Sequence, residues 1–198
     1  HTELEAVYEE KNRGLDNDGR QVYEKLFEEA FPNHNYGRQT TIGTIEHLKN
    51  PSLVKIRNYF NTYYVPNNMA IIMVGDIDLA STFENVKANF SYMQPKELPV
   101  MRFEDEKPLT ETMIVEVVGP SQESLTMGYR VPDALSADAD LVKLVDLILA
   151  NSSAGLIDLN MVKAQQCLNA YCSPNLMKDR GLHYFSGVPN EGQSLEEL

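Results

Sequence analysis

Two glutamates at helical spacing near the start of the chain, Glu3 and Glu10, are the residues whose types and positions could do chemistry. The run Thr2-Glu3-Leu4-Glu5-Ala6-Val7-Tyr8-Glu9-Glu10 reads as a helix, and Glu3, Val7 and Glu10 follow i, i+4, i+7 along one stripe. If that stripe faces a core, both carboxylates are buried or half-buried. That is costly unless a cation, a proton or hydrogen bonds compensate, and a metal ion compensates well. The same residues also fit an acidic, solvated helix start, because Glu5 and Glu9 occupy another face and acidic side chains in a first turn suit the helix dipole. Spacing alone leaves both readings open.

Several elements must position these residues. The helical pattern from Thr2 runs to about Phe31 with an interruption at Gly14-Leu15-Asp16-Asn17-Asp18-Gly19, and Val22, Leu26, Phe27 and Ala30 then share one face. Pro32 to Gly43 is rich in turn residues. Thr44 is placed to cap a short helix, and Asn50-Pro51-Ser52 restarts another whose apolar face is Leu53, Val54, Ile56 and Phe60. Met69-Ala70-Ile71-Ile72-Met73-Val74, closed by Gly75-Asp76, predicts a strand deep in a sheet, with Asp78 or Ser81 opening a helix through Phe90. Residues 112–118 and 124–131 predict an antiparallel strand pair. Residues 137–150 form the clearest amphipathic helix, with Leu141, Leu144, Val145, Ile148 and Leu149. A helix over 155–166 and strands over 167–173 and 183–188 complete an α+β pattern with largely antiparallel sheets. Between 93 and 108 lie three prolines, several charges and no periodicity. This places a linker at 94–108 between domains at 1–93 and 109–198.

Composition narrows the function. In 198 residues, 42% apolar content suffices for a hydrophobic core. A net charge of −12, with Lys and Arg scattered singly, offers no basic stripe for phosphates and argues against nucleic-acid binding and against anionic membranes. No apolar run is long enough to span a bilayer, and no basic stretch precedes an apolar one, so the sequence carries no address. Cys167 and Cys172, five apart, fit neither a zinc ribbon nor a redox Cys-x-x-Cys pair and read as structural. A chain that opens in mid-helix and closes on Ser194-Leu195-Glu196-Glu197-Leu198 reads as a piece of something longer.

Four segments together resemble the M16 zinc metallopeptidases, the pitrilysin, insulin-degrading enzyme and mitochondrial processing peptidase group. Residues 3–10 resemble the helix that supplies the family's glutamate ligand. Asn33-His34-Asn35-Tyr36-Gly37 with Thr41-Ile42-Gly43-Thr44 is similar to its His-Pro-Tyr-Gly and Ile-Gly segment. Tyr64-Val65-Pro66-Asn67-Asn68-Met69 and Val74-Gly75-Asp76-Ile77-Asp78 resemble a strand entry and exit, and Ala154-Gly155-Leu156-Ile157-Asp158 a turn after the main helix of the next domain. Their order and spacing cover nearly the whole chain.

The resemblance implies a LuxS/MPP-like metallohydrolase-type α+β fold, with largely antiparallel sheet and helices packed on one face. The chain would hold the later part of the zinc-ligand-bearing domain and the opening part of the next. The resemblance also implies a His-x-x-Glu-His helix with two histidine ligands and a general base, plus a distant glutamate ligand. That ligand maps to Glu10 and the accessory carboxylate to Glu3. Glu9 competes, but it is rotated by roughly 100° from the stripe that Glu3 and Glu10 share.

No His-x-x-Glu-His occurs here, and His1, His34, His47 and His183 lack metal-ligand spacing. By this reading the chain alone binds no zinc, or binds it weakly, and is inactive, while the intact parent is a zinc endopeptidase acting on peptides or unfolded segments. A homologous M16 half, in the same chain or another subunit, is the implied partner. The alternative is a non-catalytic half that binds substrate or scaffolds a subunit. His34 reads as a loop hydrogen-bonder, His47 and His183 as surface or satisfied structural residues, and Tyr36 and Tyr64 as packing groups. A nucleotide turn at Val74-Gly75-Asp76 is a weaker third reading, since no further phosphate-cradling glycines follow.

Overall fold

The computed structural model describes residues 2–198, so His1 lies outside them. Two compact units form, one from the chain up to Ile42 together with Glu104–Leu198, the other from Gly43–Phe103.

In the first unit, α1 (Thr2–Leu15) and α2 (Asp18–Ala30) are separated by the expected break, which narrows to Asp16 and Asn17. Asn17 ends it by accepting the Arg20 N–H at 2.9 Å, a local N-cap that competes with helix continuation and starts the next helix. Lys11 of α1 reaches Glu24 of α2 at 3.5 Å. Phe27, Ala30 and Phe31 at the end of α2 bury with Leu182 as the core of this unit, and Leu26, Tyr36 and Met177 pack around them. The four-residue helix α3 (Asn35–Arg38) turns back tightly onto α2. A Cβ on Gly37 would lie 2.4 Å from the Phe31 carbonyl oxygen and 2.5 Å from that of Phe27, so only glycine permits the approach.

Three strands make one antiparallel sheet in the order β1-β3-β2: β1 (Leu125–Val131), β2 (Asn169–Leu176) and β3 (Gly181–Val188). Gly128 faces Tyr184 and Arg130 faces Leu182 across β1 and β3, while Cys172 faces Phe185 and Pro174 faces His183 across β2 and β3. Side chains alternate between faces. The Leu182 face therefore meets α2, where Leu26 packs on Gly128, and Arg130 donates to the Ala30 carbonyl at 2.5 Å with its guanidinium over the Phe31 ring. The His183 face meets α7 (Ala139–Leu149).

The second unit is helical. α4 (Ile45–Lys49), α5 (Leu53–Tyr63) and α6 (Leu79–Phe90) start at Thr44, Ser52 and Asp78, each of which accepts a backbone N–H three residues on. A 3-10 turn, Pro66–Asn68, follows α5.

The molecule is α+β with an antiparallel sheet, and four elements differ from the sequence reading. Residues 69–74 and 112–118 belong to no ladder, and Ile72, Val74, Ile114 and Val118 are almost fully exposed. An apolar run specifies burial but not by what, and a strand exists only where a partner supplies the ladder hydrogen bonds. β1 accordingly pairs with β3 from far along the chain instead of with 112–118. The helix expected over 155–166 contracts to a helical stretch around the π-turn Asp158–Val162. In α7 the stripe Leu141, Leu144, Val145 and Ile148 points to solvent, while Ala139, Val142, Asp146 and Leu149 face inward. The helix is apolar on more than one side, so periodicity alone did not choose the face.

Candidate functional site

Both carboxylates singled out from the sequence stand on α1 and are exposed. The buried side of that helix is Leu4, Val7, Tyr8 and Lys11, at i, i+3, i+4, i+7. At about 100° per residue, Glu3 and Glu10 fall within about 20° of each other on one shoulder of that face, while Glu5 lies on the opposite shoulder and Glu9 farther round. Within this chain neither carboxylate is buried, so the cost that would have demanded a cation does not arise here.

The other segments position backbone. His34, fully buried, caps α3 by accepting the Tyr36 N–H at Nδ1, 3.2 Å away, and its ring lies 4.2 Å from that of Tyr36. Burial, then the nearby Arg180 charge, holds its pKa below the ordinary imidazole value. Asn67 exchanges two hydrogen bonds with the Lys96 backbone, at 2.9 and 3.1 Å, and Tyr64 stacks on Phe60. Asp158 accepts the N–H groups of Asn151 at 2.8 Å and Gly155 at 3.1 Å, which lower its pKa, the Asn151 bond first. A Cβ on Gly155 would meet the Leu149 carbonyl oxygen at 2.6 Å, which explains the small residue there. At the Gly75-Asp76 turn, the Asp78 carboxylate already takes the helix N–H that a phosphate would need. His47 is exposed, with its backbone N–H on Thr44.

One constellation escaped the sequence reading. Asp146 of α7, Cys172 of β2 and His183 of β3 bring a carboxylate oxygen, a thiol sulfur and an imidazole nitrogen within 4.8 Å of one another, the one such group of three among the described residues. Asp146 Oδ1 accepts from Cys172 Sγ at 3.1 Å and from His183 Nε2 at 2.9 Å. Cys172 and His183 are buried. Burial, with the Asp146 hydrogen bond and charge, pushes the Cys172 thiol up to about 12. A thiol bonded to a carboxylate is no activated nucleophile, since activation needs a base or a nearby positive charge. His183 is thus satisfied and structural, as one of the two sequence readings had it, and both cysteines are buried. No signal could have linked the three: Asp146 lies 26 and 37 positions from its partners.

The chain is 25% identical over 202 residues to the zinc protease PqqE of Helicobacter pylori, covering 99% of this chain and 45% of that protein. Its fold superposes on a Helicobacter pylori protease crystal structure with a TM-score of 0.81 at 23% identity, over 98% of this chain and 48% of that one. A peptidase M16 inactive domain from Pseudomonas fluorescens superposes with a TM-score of 0.66 at 18% identity, over 93% and 45%. The chain thus spans less than half the length of these relatives. Glu3 and Glu10 lie before the segment that carries the family signature, yet that segment, residues 52–198, matches the peptidase M16 inactive domain, and the chain belongs to that family.

Proposed function

We propose that this chain is part of a zinc-dependent endopeptidase of the M16 type, in which Glu10 supplies one metal ligand and Glu3 is the accessory carboxylate that orients the site. The observation that carries this reading is the placement of both on one solvent-facing shoulder of α1. The Helicobacter pylori relative, a zinc protease by name, supports the choice of metal. Zinc with three protein ligands and an open position supplies a water whose pKa falls to about 7, a nucleophile for peptide carbonyls.

The residues present do not make that centre by themselves. Two exposed carboxylates give one ligand and one supporting group, and no histidine joins them in a metal-sized cluster among the described residues. The chain alone is therefore expected to be inactive, with histidine ligands coming from outside it. Its substrates are peptides or unfolded segments, and its partner is a homologous M16 half. The exposed apolar stripes of α5 (Leu53, Val54, Ile56, Phe60) and α7 support such a partner, since contiguous apolar surface of this kind marks interaction sites. A charge of −12 fits neither nucleic acid nor an anionic membrane, and no helix among the described residues is long and apolar enough to cross a bilayer.

A second reading, a non-catalytic half that binds substrate or scaffolds a subunit, draws on the family being an inactive domain. Zinc content and peptide hydrolysis of the full-length protein, beside this chain, separate the two. Chelator-sensitive cleavage that falls at least about 100-fold in Glu10→Gln, with loss of one equivalent of zinc and unchanged circular dichroism, supports the first. Glu3→Gln should cost about 10–100-fold in activity with a smaller loss of metal. Activity untouched by Glu10→Gln sinks the ligand assignment, and a full-length protein without chelator-sensitive cleavage makes this the binding half.

A further inference from the structure

We propose that Asp146, Cys172 and His183 form a binding site for one thiophilic divalent cation of the zinc type, separate from Glu3 and Glu10, which clasps α7 to the β2–β3 pair. The three donors come from three elements that the fold brings together. Pro174 faces His183 and Cys172 faces Phe185, so Cys172 and His183 stand on one side of the sheet, one diagonal step apart. α7 crosses that side with Asp146 on its inward face.

Size fits the ion. A tetrahedral zinc with bonds of about 2.3 Å to sulfur and 2.0–2.2 Å to nitrogen and oxygen places neighbouring donors about 3.4–3.6 Å apart. The carboxylate oxygen now sits 3.1 Å from sulfur and 2.9 Å from nitrogen, and sulfur and nitrogen lie within 4.8 Å of each other, so the metal enters once the oxygen withdraws by about half an ångström and sulfur and nitrogen settle about 3.6 Å apart. The Asp146 side chain is 18% exposed, and its rotation supplies a shift of that size at the oxygen.

Donor chemistry selects the class. Sulfur, imidazole and carboxylate together suit zinc and its neighbours, whereas magnesium and calcium want oxygen alone. Charge agrees as well: a carboxylate and a thiolate balance a divalent ion, and the imidazole binds neutral. Without the ion, Asp146 satisfies two donors and suppresses thiolate formation. With it, the thiol proton leaves to solvent, a metal–sulfur bond forms, and the local preference inverts because the ion becomes the largest charge nearby. The existing hydrogen bonds hold the ligands near their final places, and the His183 ring is fixed 4.7 Å from Phe185. Cys172 borders a cleft of about 520 Å³ with Asp158, Tyr171 and Tyr184, which offers a route to the sulfur.

The test is titration of the full 198-residue chain, stripped of metal, with cobalt(II) alone as the probe. A thiolate-to-cobalt charge-transfer absorption that saturates at one equivalent and is displaced by zinc is the expected result. It should vanish in Cys172→Ala, need at least tenfold more cobalt in His183→Gln, and persist in Cys167→Ala and Glu10→Gln. Should the variants misfold by circular dichroism, the unmodified chain still decides: zinc should slow alkylation of Cys172 at least tenfold and leave Cys167 unprotected. A band that survives Cys172→Ala, or a folded chain with neither band nor protection, overturns the proposal and leaves a hydrogen-bond clasp only. Either result is independent of the peptidase reading, because Glu10 brings no sulfur.

Discussion

His34 shows how one residue can resemble a ligand and serve as a scaffold. Its Nδ1 accepts the Tyr36 N–H, a role that only the unprotonated nitrogen can fill, and burial and Arg180 hold its pKa below the usual value of about 6.5. The unfolded chain therefore binds this proton more readily than the folded one. The contribution is fully present above about pH 6.5 and is lost as pH falls through the lower folded value. Urea midpoints should fall between pH 7.5 and pH 5. His34→Asn, which keeps a capping oxygen but does not titrate, should flatten that part of the profile. An identical slope in both proteins would assign the loss to other groups. The glutamates teach the opposite lesson: helical spacing alone put Glu3 and Glu10 on one stripe and Glu9 off it, and the structure keeps that division.

Among the elements, the Thr44 cap and the helix restart at Ser52 were legible, whereas Asp78 was left open against Ser81 and the Asn17 cap stood only as part of a break. Asn17, Thr44, Ser52 and Asp78 all accept the N–H three residues on, because capping is settled by a side chain and its own neighbours. The turn after α5 is less local. Asn67 joins residues 29 apart in sequence, through two bonds to the Lys96 backbone. Asn67→Ala should cost about 1–2 kcal/mol, read as a lower urea midpoint. Asn67→Asp keeps one of the two bonds and should cost less. No change in the alanine variant would mean that water replaces both bonds at no cost. In α7 the leucine stripe misled because apolar periodicity marks a face to be covered, and here a polar residue, Asp146, faces the sheet.

For the whole molecule, the first unit depends on a small core in which α2 meets the sheet. Leu182 is fully buried against Phe27 and Phe31, so Leu182→Ala should cost about 2–5 kcal/mol and lower the midpoint followed by circular dichroism. A loss below about 1 kcal/mol would show that the core collapses around the gap. Against that core stand many large exposed apolar side chains, and a chain spanning less than half of its relatives' length. The proposed pairing with a homologous half would cover these apolar faces.

The sequence by itself determined the α+β class, the helix starts at Thr44 and Ser52, the break between α1 and α2 and the shoulder shared by Glu3 and Glu10. Each of these rests on periodicity or on contacts a few residues long. Only the tertiary structure decided that β1 pairs with β3, that residues 69–74 and 112–118 join no ladder, which side of α7 meets the sheet, and that Asp146, Cys172 and His183 converge. Pairing partners and donor clusters depend on which surfaces meet across long stretches of chain, and hydrophobic burial, being non-directional, does not say which.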